Sequence, residues 1–326
     1  MRKLLTFLLL AALGFAGWLA WAVYLPVTPN GQKFVLLRPG FSTRRIAAEL
    51  KAAGVIRSEK AFVIWHCLHR RVSLKAGEYL FEKTAAITEV HDRLARGDIY
   101  VHTVVIPEGY TIFDIAQAVK EAGLGTQAEF LTAARHNIDL ISDIAPEATT
   151  LEGYLFPDTY EFTRTQSMRD IVTMMVHHFR HVASSIGLTS DVHSIVIMAS
   201  IVEKETAAGD ERPLVASVYY NRLTKRMALD ADPSVIYAEL LAGTYQGALH
   251  HADLQVASPY NTYRYPGLPP GPIANPGKSA LEAAMHPAIS DYLYFVSDGN
   301  GHHRFARSLQ EHNHNVVAFR RAARGQ

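Results

Sequence analysis

Cysteine is almost missing from this chain, and its scarcity excludes several classes of protein. Cys67 is the single cysteine among 326 residues, so neither an internal disulfide nor a multi-cysteine metal site can form. We expect Cys67 to be a small buried hydrophobic residue. The charges nearly cancel, with 32 basic against 31 acidic residues. This balance argues against nucleic acid as the main partner.

Several familiar catalytic motifs are also absent. The sequence has no H-E-x-x-H pair, no G-x-S-x-G turn and no glycine-rich phosphate loop before a helix. These motifs mark zinc peptidases, α/β-hydrolases and nucleotide-binding enzymes. Sixteen histidines are present, but adjacent histidines on one helix point in different directions and rarely bind one metal together. We therefore expect neither a metal nor a cofactor.

Charge of either sign is missing from residues 4–32. Residues 4–25 would form a helix of about 33 Å, long enough to cross a bilayer. Arg2 and Lys3 precede this run, which favours a cytoplasmic N-terminus and a body outside the cytoplasm. The alternative is a cleaved signal peptide, whose apolar core is usually about 7–15 residues long. The longer run predicts a single-pass anchor over residues 1–26.

Two segments of the chain, residues 34–62 and 103–130, resemble one another. In each copy a β-prone run leads to a turn glycine, followed by Ser42 or Thr111 as a candidate helix cap. Neither copy can bury its apolar face alone, so we expect both to pack on strands such as residues 77–81. Because neither contains a carboxylate that looks buried, we expect them to bind or position substrate rather than to catalyse.

The rest of the chain combines helices with a long irregular segment. Residues 258–279 contain six prolines, which fix φ and remove backbone donors, so an extended loop is predicted. Two β-prone runs joined by "DGNG" predict a hairpin over residues 292–306. Helices are predicted at residues 168–186, 194–206, 214–223 and, with basic character, 309–326.

Two glutamates, Glu203 and Glu205, directly follow an apolar run. Seven of the nine residues from 194 to 202 are apolar. On a helix, the small residues Ala199 and Ser200 lie beside Glu203 and could leave room for a ligand, whereas Glu205 points to nearly the opposite side. A carboxyl against an apolar wall keeps its proton to higher pH, as a general acid requires. Both glutamates could equally lie in solvent, and the spacing leaves this open.

Other polar residues have two interpretations each. Asp232 is predicted to cap a helix that begins at Pro233, and Glu152 could be a turn residue. Three consecutive residues of the proline-rich loop could hydrogen-bond a sugar and stack on it, or could only satisfy loop backbone. These three residues are Asn261, Thr262 and Tyr263.

Long blocks in a fixed order point to one family. They read "IPEGYT", "LEGYLFPDTY", "ASIVEKET", "VASVYYNRL", "DADPSVIYA", "SPYNTYRYPGLPPGPIANPGKSALEAAMHP" and "YLYFVSDGNGHHRFA". With these blocks the chain resembles the YceG-like endolytic murein transglycosylases, known as MltG. Together with the N-terminal run, the resemblance covers nearly the whole chain.

This resemblance implies an α+β protein with one transmembrane helix. A LysM-like α/β repeat region would occupy residues 27–149, and a mixed α+β catalytic domain residues 150–326. In the family the first glutamate of "ASIVEKET" is catalytic, which corresponds to Glu203. The candidate substrate-binding residues are Asn261, Thr262, Tyr263, Asp232, Glu152 and Tyr154.

The implied activity is that of a lyase acting on nascent peptidoglycan. It cleaves the β-1,4 bond between N-acetylmuramic acid and N-acetylglucosamine, leaves a 1,6-anhydro end and so limits glycan length. The implied partners are glycan strands, the membrane and penicillin-binding synthases. Two alternatives remain: a two-carboxylate muramidase that uses Asp232 or Glu152 as its second group, and a non-catalytic tether that binds the wall through the repeat.

Overall fold

The chain folds into two compact units. The computed structural model describes residues 1–69 and 72–324. The first unit comprises Met1–Thr103 and Glu161–Ser167, and the second comprises Val104–Tyr160 and Met168–Gln326. Both units contain helices and strands, so the predicted α+β class is confirmed. The domain boundaries expected after residues 26 and 149 stay a prediction, since the compact units are divided elsewhere.

The first unit is built around an antiparallel pair of strands. Strands β1 (Lys33–Leu37) and β2 (Gly77–Phe81) place Val35 opposite Tyr79, and both side chains are buried together with Phe62. The first repeat copy therefore packs on residues 77–81, as expected. The elements are α1 (Arg2–Tyr24), β1 (Lys33–Leu37), α2 (Thr43–Ala52), α3 (Glu59–Leu68), β2 (Gly77–Phe81) and α4 (Ile87–Arg96).

Helix α1 is the one helix in the described residues that is long and apolar enough to cross a membrane. It has 23 residues, and such a helix near the N-terminus is consistent with a membrane anchor and with a signal sequence. Its last turn packs onto the first unit, where Ala22 and Val23 are buried. The Tyr24 ring meets the Trp65 ring of α3 edge-on, with centroids 5.8 Å apart.

The second unit contains the helix that carries Glu203. Its elements are β3 (His102–Val105), α5 (Ile112–Glu121), α6 (Gln127–His136), β4 (Thr159–Phe162), α7 (Met168–Ser185), α8 (Val192–Glu205), α9 (Arg212–Thr224), α10 (Asp232–Ala242), α11 (Lys278–Met285), β5 (Tyr294–Ser297), β6 (His303–Ala306) and α12 (Leu309–Arg324). Strand β3 pairs with β4, and the division between the units cuts both strands.

Helix α8 packs against α9, α10 and α11. Its residues 196–202 are all buried, which explains the apolar run.

The two repeat copies share a strand–helix–helix order and the same capping chemistry. Ser42 and Thr111 each accept the N–H of the residue three positions on, at 3.3 and 3.2 Å. Gly54 and Gly123 follow the first helix of each copy with φ of 74° and 68°, a conformation that glycine adopts without strain. The predicted caps and helix ends are confirmed.

Other predicted elements are confirmed where the structure describes them. Strands β5 and β6 form the hairpin, with Phe295 opposite Phe305. Residues 258–277 of the proline-rich segment are irregular, and a short 3-10 helix at Asp253–Gln255 precedes the segment. Residues 309–324 are helical, whereas residues 325 and 326 of the predicted tail helix lie outside the described residues.

Two predictions about single residues are wrong. Cys67 is exposed, because the inward face of α3 is formed by Ala61 and Phe62 and Cys67 is not on that stripe. Asp232 does not cap α10, since it is the first helical residue and Ala231 occupies the capping position. The Asp232 carboxylate instead accepts the hydroxyl of Tyr263 at 2.5 Å.

Candidate active site

Glu203 lies in the last turn of α8, and two other parts of the second unit fix its carboxylate. One oxygen, Oε1, accepts a hydrogen bond from Nη2 of Arg212 at 2.7 Å. The other, Oε2, accepts the backbone N–H of Gly277 at 2.9 Å. Arg212 begins α9 and Gly277 immediately precedes α11. Only 5% of the Glu203 side chain is exposed, so its orientation is set by these two partners.

The surroundings of Glu203 favour its protonated form. Burial raises the pKa of Glu203 above its ordinary value of 4.5, and this is the largest effect. The Gly277 N–H and the charges of Arg212 and Lys204 act in the opposite direction, while the carboxylate of Glu108 raises the pKa further. A carboxyl that keeps its proton in this way is suited to general acid catalysis.

The loop at residues 107–111 lies against Glu203. A β-carbon at Gly109 would be 3.5 Å from Cγ of Glu203, and the Lys204 ammonium donates to the Gly109 carbonyl at 3.2 Å. The Glu108 side chain is 49% exposed and approaches Arg212 from the same side. This loop belongs to the second repeat copy, so that copy takes part in the surroundings of Glu203, which the sequence did not predict.

A backbone pairing joins this loop to the end of the proline-rich loop. The Gly109 N–H donates to the Asn275 carbonyl at 2.9 Å, and the Asn275 N–H donates to the Tyr110 carbonyl at 2.8 Å. The Asn275 side chain also accepts the N–H of Leu155 at 2.9 Å. Asn275 is fully buried, so it holds three chain segments in register two residues before Gly277.

Glu152 completes this buried network. Its carboxylate accepts the N–H of Ile112 at 3.0 Å and the Asn275 amide at 2.8 Å. The N–H of Ile112 is an otherwise unpaired donor in the first turn of α5. Glu152 is 1% exposed, and burial raises its pKa to about 8. The sequence identified Glu152 as a candidate, but the structure places it beneath the loops rather than at the surface.

The space beside Glu203 differs from the expectation. Ala199 and Ser200 are both 0% exposed, so they leave no open path to the carboxylate. The Ser200 hydroxyl accepts the N–H of Ile273 at 3.0 Å. The proline-rich loop therefore covers these small residues.

Glu205 is partly buried, on the other side of α8. It accepts the hydroxyl of Tyr219 at 2.8 Å, and burial raises its pKa to about 7. The predicted opposite orientation of the two glutamates is confirmed, and neither side chain extends freely into solvent. Burial alone does not separate them, but only Glu203 adjoins the half-exposed Glu108.

The predicted sugar-binding residues fall into two groups. Asn261 and Thr262 are 0% and 1% exposed; the Asn261 amide donates to the carbonyls of Leu254 and Val256, both at 2.9 Å. Tyr154 is also buried, bonded to His193 at 2.8 Å. Asp232 and Tyr263 reach the surface. The backbone-satisfying interpretation of Asn261 and Thr262 is the one that their contacts favour.

Sequence reasoning missed four residues around Glu203, namely Glu108, Arg212, Asn275 and Gly277. They lie in different loops and helices and share no spacing with Glu203. Glu108, Asn275 and Gly277 fall in quoted family blocks, whereas Arg212 lies between two blocks. Across the described part of the chain, no group of three or more His, Cys, Asp or Glu residues could hold a metal ion.

Comparison with known proteins shows the family of this chain. Residues 35–318 match the YceG-like family. The chain belongs to the YceG-like family. It is 35% identical over 294 residues to the endolytic murein transglycosylase of Bacillus subtilis (strain 168), covering 84% of this chain and 81% of that protein. It is 30% identical over 331 residues to the protein of the same name from Streptococcus pneumoniae serotype 2 (strain D39), of which this YceG-like chain spans 60%.

A solved structure supports the same assignment. The crystal structure at 2.6 Å of a YceG-like protein from Listeria monocytogenes matches with a TM-score of 0.57 and 33% identity. The match covers 87% of this chain and 98% of that one. At this identity, both sequence and fold of the YceG-like chain agree with the relative.

Proposed function

We propose that this protein is an endolytic murein lytic transglycosylase with Glu203 as its single catalytic acid and base. The observation that carries the proposal is the buried Glu203 carboxyl, held by Arg212 and Gly277 at 2.7 and 2.9 Å, in a chain whose relatives are named for this activity. Burial raises the pKa of Glu203, as a proton donor requires.

The reaction needs no second protein carboxylate. Protonated Glu203 gives its proton to the glycosidic oxygen as the bond to C1 of the N-acetylmuramic residue breaks. The C6 hydroxyl of the same residue attacks C1, and its proton returns to the Glu203 carboxylate. One bond is exchanged for another within the substrate, no water is consumed, and the new end is a 1,6-anhydro sugar.

The other site residues divide into supports and candidate sugar contacts. Asn261 and Thr262 hold the proline-rich loop through backbone hydrogen bonds, and Glu152 and Tyr154 act in the same structural way. Tyr263 and Asp232, joined by a hydrogen bond at the surface, are the candidates for direct contact with the glycan. We assign the LysM-like role of binding glycan to the repeat region at residues 27–149.

We also propose that α1 anchors the protein in the inner membrane with a cytoplasmic N-terminus. Arg2 and Lys3 precede the span, and basic residues favour the cytoplasmic side. The body then faces newly made glycan outside the cytoplasm. In that place it would end strand elongation beside penicillin-binding synthases.

Mass spectrometry of muropeptides tests the reaction. Full-length protein in detergent micelles is incubated with uncrosslinked glycan strands in water labelled with oxygen-18. We expect 1,6-anhydro ends without the label, at internal positions of the strand. Reducing ends that carry the label would indicate a muramidase, and uncut strands would indicate a tether. For the muramidase alternative, Glu152 would have to activate a water molecule. It is poorly placed for this role, because it is 1% exposed.

A further inference from the structure

Two carboxylates approach the same nitrogen of Arg212. Its Nη2 lies 2.7 Å from Oε1 of Glu203 and 3.5 Å from Oε2 of Glu108. The Arg212 side chain is 8% exposed, whereas that of Glu108 is 49% exposed. Within the described residues, the buried Nε of Arg212 has no hydrogen-bond partner. The guanidinium is thus held mainly by these two carboxylates. A stronger interaction of Arg212 with one carboxylate weakens its interaction with the other.

The space that Glu108 occupies depends on a glycine. Gly277 has φ of −78° and ψ of 173°, a conformation open to any residue, so the backbone does not require glycine there. A β-carbon at this position would lie 1.8 Å from Oε1 of Glu108, far inside contact distance. The missing side chain of Gly277 is what allows the Glu108 carboxylate to lie beside Arg212.

We propose that Glu108 is a positioning residue that acts through Arg212, sharing the charge of the guanidinium with Glu203 so that Glu203 can hold a proton in the free enzyme. The inference rests on the proposed function, in which Glu203 must begin the reaction protonated. Glu108 itself donates no proton in this account.

The charges around Glu203 give the direction of the effect. Arg212 of α9 and Lys204 of α8 favour the ionised form of Glu203, and Glu108 is the negative group that opposes them. If Glu108 loses its charge, only the two cations remain, so the pKa of Glu203 falls. The protonated fraction at any pH above that pKa then falls tenfold per pKa unit.

Activity against pH is the first test. Full-length wild-type protein, Glu108→Gln and Gly277→Ala are compared in detergent micelles on uncrosslinked glycan. We expect the high-pH limb of kcat/KM to move to lower pH by about 0.5–1 unit in both variants, a loss of roughly three- to tenfold above the limb. At low pH, where Glu203 holds its proton in all three proteins, the loss in both variants should be smallest. Glu282→Gln on α11, an exposed glutamate paired with Lys278 at 3.7 Å, is the matched control and should leave the profile in place.

A double variant separates this role from a packing role. In Gly277→Ala the flexible Glu108 side chain must move. If this movement is the cause of the altered pH profile, Gly277→Ala should have no further effect on a protein that already carries Glu108→Ala. Equal loss at all pH values, or a Gly277→Ala effect that persists in the Glu108→Ala background, would overturn the proposal.

Direct titration of Glu203 does not depend on catalysis. Carbon-13 NMR of labelled glutamate carboxyls, with Glu203 assigned by its loss in Glu203→Gln, follows the protonation of the free protein. We expect a lower midpoint for Glu203 in Glu108→Gln and in Gly277→Ala. An unchanged midpoint in both overturns the inference. If the wild type leaves glycan uncut while the midpoint shifts, the proposed function fails and the coupling of Glu108 to Glu203 stands.

Discussion

The amide of Asn275 donates to the buried carboxylate of Glu152 at 2.8 Å, across 123 positions of sequence. Through this bond the end of the proline-rich loop is tied to the N-terminus of α5, whose Ile112 N–H the same carboxylate accepts. The two loops that meet Glu203, at Gly109 and Gly277, are therefore anchored to one buried acid. Stability and activity should both depend on this network, in ways that can be separated.

Glu152 should make stability depend on pH. Burial raises its pKa from 4.5 to about 8, so its stabilising contribution is complete below pH 4.5 and is lost as the pH rises through 8. Glu152→Gln resembles the protonated carboxyl and cannot ionise. Compared with this variant, the wild type should lose melting temperature progressively between these pH values. Thermal melts across that range, with Glu282→Gln as the control, measure the difference. Parallel curves for wild type and Glu152→Gln would contradict it.

Glu203→Gln should abolish most cleavage without unfolding the protein. Glutamine keeps the shape and can still accept the Gly277 N–H, but it cannot deliver a proton, and general acid–base groups contribute about 10²–10⁴-fold in rate. Glu205→Gln, on the side of Tyr219, should cost far less. The rate of the wild type should fall as the pH rises through the raised pKa of Glu203, because the first step uses the protonated form. Full activity in Glu203→Gln with loss in Glu205→Gln would reverse the assignment.

A chain that begins at residue 150 should lose cleavage. It lacks the loop at residues 107–111, and Glu152 loses the Ile112 N–H, which leaves a buried carboxyl short of one partner. A chain that begins at residue 104 keeps both features. Cleavage of soluble glycan by the two chains, each checked for folding by circular dichroism, measures the contribution of the second repeat copy. Equal activity would show that this copy is dispensable for chemistry.

Chelators should leave cleavage unchanged. The proposed reaction uses one carboxyl and the substrate's own hydroxyl, and the sequence has a single cysteine and no H-E-x-x-H motif. Glycan cleavage is measured before and after dialysis against EDTA. Loss of activity that zinc restores would instead indicate a metal site at adjacent histidines, which occur at positions 177–178, 250–251 and 302–303.

The N-terminal helix should keep the full-length protein in the membrane with its body outside the cytoplasm. Membrane fractionation, together with a reporter fused to the C-terminus, measures both properties. A reporter active only in the cytoplasm would reverse the topology. An N-terminus cleaved near residue 25 would identify α1 as a signal sequence.

The sequence by itself determined the local features of this protein. Ser42 and Thr111 could be recognised as caps because capping depends on residues three positions apart. The apolar run of α8 and the hairpin at residues 292–306 follow from helical and strand periodicity and from turn chemistry. The order of the quoted blocks indicated the family, and with it Glu203.

Only the tertiary structure decided what surrounds Glu203. Glu108, Arg212 and Gly277 come together because loops that are distant in sequence pair with one another. Such pairing follows no sequence period, so no spacing predicts these neighbours of Glu203. The same reason explains why Asn261 proved to be buried and to hold loop backbone. Burial of a polar side chain is set by chain segments that are distant in sequence. The proton affinity of a carboxyl depends on that burial, so it is a property of the folded chain alone.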